Sequence, residues 1–169
     1  MQFFLNATGD KSLEVVFTNE GVRMKFICGS QELDLHPQAF QKMEALSLET
    51  SSSLLQLLQG FPVLLRKRLF HNVFLYIRPP CHMVHIQKFV SSYGVLFPTS
   101  EGIAMTTSEW LKLLDVIIQL KNAHAIFNVP NMCFRQHSST GEKEQCYNCH
   151  SDGFPTNGVF AQSQNHQEE

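Results

Sequence analysis

The amino-acid sequence predicts an α+β fold in which two four-stranded antiparallel sheets, each followed by a helix, form two repeats. The first observation is that short segments in both halves alternate apolar and polar residues, which is typical of half-buried strands. The second is an internal repeat: a strand, a polar segment and a helix start over residues 31–43 recur 70 residues later without a gap. Three apolar pairs coincide in this alignment: Leu33 with Ile103, Leu35 with Met105, and Phe40 with Trp110. A strand-to-helix unit that occurs twice indicates a duplicated fold.

The first repeat is expected to cover residues 1–50. Its predicted strands, separated by turns rich in glycine, are residues 2–7, 13–18, 22–28 and 32–35. Residues 22–28 alternate well, with Met24 and Phe26 on one face and Arg23 and Lys25 on the other. Pro37 then suits the first position of a helix, because proline lacks the N–H that is unpaired there.

Residues 51–71 are interpreted as a connector between the repeats. The polar residues 50–53 are suitable caps for a short helix over residues 54–59, and Gly60 would end that helix. The connector also holds a charge run, Arg66, Lys67 and Arg68. Such a run is compatible with a nuclear-localisation patch, a phosphate clamp or a solvated linker.

The second repeat is expected over residues 72–127. Its predicted strands are residues 72–77, 83–90, 95–97 and 103–105. The helix that follows has an apolar stripe at helical spacing: Trp110, Leu113, Leu114, Ile117 and Leu120. Periodicity is absent after residue 128, and we expect residues 153–169 to form a disordered acidic tail.

Bulk composition limits the class of protein. A chain of 169 residues suffices for one compact domain or two small ones. No apolar run approaches the ~20 residues of a membrane span, and the start lacks the basic residues of a signal peptide. We therefore expect a soluble intracellular protein with no membrane partner. The net charge of -2 argues against a strongly basic nucleic-acid protein, although the acids concentrate in the tail and the body is near neutral.

Catalytic signatures are absent from the sequence. It has no glycine-rich phosphate loop, no G-x-S-x-G and no H-E-x-x-H. Its carboxylates are scattered rather than grouped with apolar residues that would tune their pKa values. We therefore expect a protein that is not an enzyme.

The segment 128–152 is a candidate zinc site. Its four soft ligands are Cys133, His137, Cys146 and Cys149. Two ligand pairs that close a short loop are typical of structural zinc, since tetrahedral sulfur and imidazole ligation needs no prior core. Free thiols in a tail are the alternative.

The segment His85–Leu120 resembles the C-terminal single-stranded-DNA-binding domain of the eukaryotic transcriptional coactivator positive cofactor four. The matching motifs, in family order, are Ile86-Gln87-Lys88-Phe89, Gly94 followed by Pro98, Gly102-Ile103-Ala104-Met105, and Ser108-Glu109-Trp110. The resemblance covers roughly residues 73–123, and residues 31–43 extend it weakly to the first half. It implies two sheet-plus-helix units that pair through their helices and hold single-stranded DNA, or melted duplex, on curved sheets. This chain would carry both units as a pseudo-dimer, and further pairing of two chains stays open.

Binding of a single strand needs cations along the phosphates and flat rings for the bases. The candidate cations are Arg23, Lys25, Arg66, Lys67, Arg68 and Lys88, and the candidate rings are Phe40, Phe89, Tyr93, Phe97 and, by the resemblance, Trp110. For each ring the alternative is core packing, and for each cation it is an ordinary solvated charge.

The expected function is non-catalytic single-stranded DNA binding in transcription or replication, in a nucleus or in a virus that uses one. The rival is a protein-interaction module of a transcription complex that kept the fold and lost nucleic-acid affinity. Glu101 favours this rival, because it stands where the family has a cation and each phosphate contact adds to the affinity.

Overall fold

The computed structural model describes residues 1–78 and 81–128. The first half consists of β1 (Gln2–Phe4), β2 (Lys11–Thr18), β3 (Gly21–Cys28), β4 (Gln31–Leu35), α1 (Gln38–Ala45) and α2 (Ser47–Leu58). The second half consists of β5 (Leu65–Phe70), β6 (Val73–Ile77), β7 (Val84–Ser92), β8 (Val95–Met105), α3 (Thr107–Ala123) and a 3-10 turn, Ala125–Asn128. Two four-stranded sheets with helices confirm the predicted α+β class and its two repeats.

Both sheets are antiparallel meanders with the strand orders β1-β2-β3-β4 and β5-β6-β7-β8. The alternation predicted for β3 is confirmed, since Met24 and Phe26 are buried while Arg23 is exposed. The corresponding central strand of the second sheet, β7, buries Val84 and Ile86 in the same way. Each sheet therefore has one face on the core and one face directed outward.

The two halves share one apolar core. One cluster of buried side chains extends from Leu5 in the first half to Phe127 after α3, and it includes Phe40 and Trp110. The sheets meet where β4 lies beside β8, and α1 contacts α3. The ammonium of Lys11 in the first half also lies 2.9 Å from the Glu109 carboxylate in the second. The chain thus forms a compact pseudo-dimer, because neither half buries its apolar face alone.

The helix starts differ between the repeats. α3 has a capping box: Thr106 Oγ1 accepts from the Glu109 N–H at 3.3 Å, and the Thr106 N–H donates to Glu109 Oε2 at 2.8 Å. In α1 the N-terminal cap is Pro37, which provides no side-chain hydrogen bond. His36 Nδ1 accepts the Gln38 N–H there instead, at 3.2 Å. The duplication therefore covers the four strands and the helix that follows them, but it does not cover the helix caps, and α2 has no counterpart among the described residues of the second half.

The connector is the part of the fold that the sequence predicted least well. β5 lies inside the predicted connector and forms the first strand of the second sheet. The sequence does not predict β5 because three consecutive cations interrupt its apolar residues. The burial of its six residues, Arg68 included, shows no simple alternation either. α2 begins at Ser47, so the predicted cap residues 50–53 lie within the helix. β8 continues through Pro98, which the terminal strand of a sheet tolerates.

Within the described ranges, no helix is long and apolar enough to cross a membrane. The longest of them, α3, has 17 residues, against the ~20 that a span requires.

Candidate nucleic-acid interface

The outward face of the second sheet brings two rows of side chains together. Side chains of paired residues on neighbouring strands share a face, because direction alternates along each strand. One row is Arg66, Tyr76, His85 and Ala104, and the other is Arg68, Phe74, Gln87 and Gly102. We call these eight positions the second outer face.

Tyr76 and His85 form a stacked pair at the centre of the second outer face. Their ring centroids are 4.6 Å apart and the planes differ by only 8°. The Tyr76 hydroxyl donates to Gln87 Oε1 at 2.6 Å, and Gln87 Nε2 donates to the carbonyl of Thr99. Both rings are half-buried, so each is held in place while part of it faces solvent.

Gly102 makes room for the Gln87 side chain that holds Tyr76. A Cβ at position 102 would lie 2.8 Å from the Ile86 carbonyl oxygen and 2.9 Å from Gln87 Cγ. Both distances are shorter than a real Cβ contact, so any larger residue would displace β7 or the Gln87 side chain.

A small second apolar cluster supports one end of the second outer face. The pairing of β7 with β8 shifts register between Gln87 and Phe89. Phe89 and Leu96, on the far side of this shift, pack against Phe74, and the Phe89 and Phe74 rings lie edge to face at 5.3 Å. The guanidinium carbon of Arg68 lies 5.2 Å from the centre of the Phe74 ring.

Cations outnumber acids in the second half, where residues 65–128 contain seven Lys or Arg and three Asp or Glu. Residues 50–100 contain no Asp or Glu but five cations: Arg66, Lys67, Arg68, Arg78 and Lys88. Residues 1–49, in contrast, contain seven acids and four Lys or Arg. Burial lowers the pKa of His85, so its imidazole is neutral at pH 7. His85 therefore adds little positive charge to the second outer face.

Four of the predicted phosphate-binding cations lie near carboxylates and do not form one track. Lys25 lies 3.3 Å from Glu14 and 3.0 Å from Glu32, and their hydrogen bonds raise its pKa. Arg23 is exposed on the same face, 3.9 Å from Glu20. Lys88 pairs with Glu101 of the second half at 2.9 Å, and Lys67 pairs with Glu49 of α2, in the first half, at 3.8 Å.

The two arginines of the charge run have different environments. Arg66 is half-buried on the second outer face, opposite Tyr76. Arg68 has 0% of its surface exposed, so its prediction as a phosphate contact is wrong in this structure. Its charge contributes to the local field, but its guanidinium packs on Phe74 instead of meeting solvent.

Three of the five predicted base-stacking rings are buried. Phe40 and Trp110 are 0% exposed in the shared core, and Phe89 is 2% exposed in the small cluster. A ring without solvent contact offers no face to a base, so the stacking role predicted for these three residues is corrected to core packing. Phe97, at 43% exposed, and the fully exposed Tyr93 are the two predicted rings that stay accessible.

Sequence reasoning missed Tyr76 and His85 as the accessible pair on this face. Both residues lie in predicted strands, 72–77 and 83–90, and the sequence pattern gives neither of them a binding role. The absence of acids from residues 50–100 was the available signal, because it marks the half whose surface attracts anions.

The predicted zinc ligands Cys133, His137, Cys146 and Cys149 lie outside the described residues. Within residues 1–78 and 81–128, no group of three His, Cys, Asp or Glu side chains is placed to hold a metal ion.

Comparison with protein-family models, with curated proteins and with solved structures finds no match.

Proposed function

We propose that this chain is a non-catalytic single-stranded DNA binding protein that acts in transcription or replication in a nucleus. The observation that carries the proposal is the stacked Tyr76–His85 pair, half-buried beside Arg66, in a region of sequence, residues 50–100, without a carboxylate. The resemblance of residues 85–120 to positive cofactor four supports the same function.

The chemistry of this face suits unpaired bases. An aromatic ring stacks on any base, and each such contact is worth about 1–3 kcal/mol. In a duplex the bases are stacked on each other and are not available to Tyr76 or His85, so only the cations would contribute to the binding free energy. We therefore expect a preference for single strands over duplex.

Phosphate contacts on this face are few. Arg66 lies on the face itself, and the exposed Arg78 follows the end of β6. Each neutralised phosphate contributes about 0.7 to the slope of log affinity against log salt for a single strand. A shallow slope is therefore expected, with stacking contributing a large share of the binding free energy.

A protein-interaction module is the second candidate, and a patch of exposed apolar side chains favours it. Three leucines of α2 at helical spacing and two residues after the helix are exposed: Leu48 (78%), Leu55 (58%), Leu58 (59%), Phe61 (58%) and Leu64 (68%). Apolar side chains that cluster on a surface are typical of a protein contact.

The deciding experiment is fluorescence anisotropy of a labelled oligo-dT and of a matched duplex at two salt concentrations. Micromolar or tighter binding of the single strand, weaker binding of duplex, and weakening with salt are the expected results. No single-strand binding at low salt contradicts the proposal and favours the interaction module.

We also propose that Cys133, His137, Cys146 and Cys149 bind one structural zinc ion. Elemental analysis of the full chain should then find about one zinc per molecule. A Cys146→Ser/Cys149→Ser variant should lose this zinc, and a wild-type protein purified without metal contradicts the assignment.

A further inference from the structure

Strand pairing makes the outward faces of the two sheets comparable position by position. In the first sheet, Leu13 pairs with Phe26, which pairs with Leu33. In the second sheet, Leu75 pairs with Ile86, which pairs with Ile103. These two inward-facing rows occupy the same place in the same strand order. The rows on either side of them are therefore equivalent as well.

The positions equivalent to the second outer face form the first outer face. Its rows are Gln2, Glu14, Lys25 and Asp34, and Phe4, Ser12, Ile27 and Glu32. Glu14 thus stands where the second sheet has Tyr76, and Lys25 where it has His85. Gln2 stands where the second sheet has Arg66.

The two faces differ in charge and in aromatic content. The first outer face carries three acids and one lysine, whereas the second carries no acid and two arginines, of which Arg68 is fully buried. The single lysine, Lys25, lies within 3.3 Å of both Glu14 and Glu32, so their charge compensates it. The first outer face has one aromatic ring, Phe4, at its edge strand.

From this difference we infer that one chain holds one DNA strand, on the second sheet alone, and that the first sheet serves as its scaffold. The inference rests on the proposed function and deepens it. A strand on the first outer face would bring phosphates against Glu14, Glu32 and Asp34, and like charges repel. The first outer face also has no aromatic ring at its centre, so base stacking would not offset this repulsion.

The ligand is therefore a lone single strand and not the two separated strands of a melted duplex. Two sheets with equal chemistry would hold two strands at once. Because only the second sheet binds DNA, one chain binds one strand of an opened duplex and leaves the complementary strand free.

The first measurement is stoichiometry, by native mass spectrometry of the full chain with an oligo-dT of about 12 nucleotides, a length within the range of one small binding surface. One strand per chain is expected at saturation, and two strands per chain would overturn the inference.

The second measurement compares matched charge removals on the two sheets by anisotropy. Arg66→Gln should weaken binding roughly 3-fold or more and reduce the salt slope by about 0.7. The double variant Arg23→Gln/Lys25→Gln should keep the affinity within about 2-fold and keep the slope, because these cations lie beside carboxylates on the other face. Circular dichroism checks that each variant is folded.

The outcomes separate this inference from the proposed function. If wild-type protein binds the single strand and Arg23→Gln/Lys25→Gln weakens it as much as Arg66→Gln does, the single-face inference is wrong while the function stands. If wild-type protein binds no single strand at low salt, both are wrong.

Discussion

Glu14 and Tyr76 occupy equivalent positions in two sheets of the same topology: Glu14 pairs with Lys25 across the strands, and Tyr76 pairs with His85. The first pair is ionic, with 3.3 Å between Lys25 Nζ and Glu14 Oε2, and the second is a stack of two rings. The duplicated fold thus places opposite chemistry at one structural position. The proposed function depends on that difference.

Replacement of Tyr76 by Leu should weaken single-strand binding roughly 5- to 150-fold, which corresponds to the loss of one stacking contact of about 1–3 kcal/mol. Leucine keeps apolar bulk on the sheet but has no flat ring and no hydroxyl for Gln87. Anisotropy with oligo-dT measures the effect.

The matched control for this variant is Tyr93→Leu at the tip of the β7–β8 hairpin, where the side chain is fully exposed. Its affinity should stay within about 2-fold of wild type, as expected for an exposed residue outside the binding face. Equal losses in both variants would show that Tyr76 has no special role.

Glu101→Gln should strengthen binding roughly 2- to 5-fold and steepen the salt slope by about 0.7. The reason is that the Glu101 carboxylate accepts two hydrogen bonds from Lys88 Nζ, at 2.9 and 3.1 Å, and so compensates this cation. Salt titrations by anisotropy test this prediction.

Glu32→Gln is the control for Glu101→Gln, since it removes a carboxylate from Lys25 on the first sheet. It should leave the affinity and the slope unchanged within about 2-fold, as for other surface charges outside the site. If Glu101→Gln has no more effect than Glu32→Gln, Lys88 does not contact phosphate.

Stability should fall in acid through Glu109. Burial raises the pKa of this carboxyl, but the Thr106 N–H and the Lys11 ammonium lower it by more, and the net pKa is below its usual 4.5. A folded-state pKa below the unfolded value contributes stability that is present above about pH 4.5 and is lost as the pH falls through the folded pKa. Urea unfolding at neutral and acidic pH measures this contribution.

Glu109→Gln isolates the charge, because glutamine can still close the capping box. At pH 7 it should lower the free energy of unfolding by about 1 kcal/mol, and in acid the difference from wild type should shrink. A difference that stays constant across this pH range would show that the charge of Glu109 does not contribute.

Much of the fold could be predicted from the sequence, because most strands of the first sheet carry clear period-two patterns and the strand-to-helix corner repeats at a fixed offset. β5 was missed because three consecutive cations, Arg66, Lys67 and Arg68, hide its strand pattern. The burial of Arg68 against Phe74 is a tertiary contact, which the local sequence does not show.

The candidate site was harder to predict than the fold. Phe40 and Trp110 occupy the same position in the two copies of the repeat motif. They do so because both rings pack in the shared core, and not because they bind a ligand. Tyr76 and His85 become neighbours only through the β6–β7 register. Period-two alternation assigns a residue to a face, but it does not show whether that face is cationic.

Trp110 should affect stability and not binding. Trp110→Ala should lower the free energy of unfolding by about 3–5 kcal/mol, as expected for a large cavity in a core. Trp110→Phe should cost less than about 2 kcal/mol, since it keeps a ring and removes an indole N–H that, within the described residues, has no hydrogen-bond partner. Folded Trp110→Phe protein that loses oligo-dT affinity more than about 3-fold would restore a binding role for this residue.

The most direct test of the central claim is photo-crosslinking of the full chain to a single-stranded oligonucleotide that carries iodouracil, followed by mass spectrometry of the crosslinked peptides. Crosslinks should fall on Tyr76 or His85, the accessible rings of the second outer face. Crosslinks confined to the first outer face, at Phe4 for example, would contradict the assignment of single-strand binding to the second sheet.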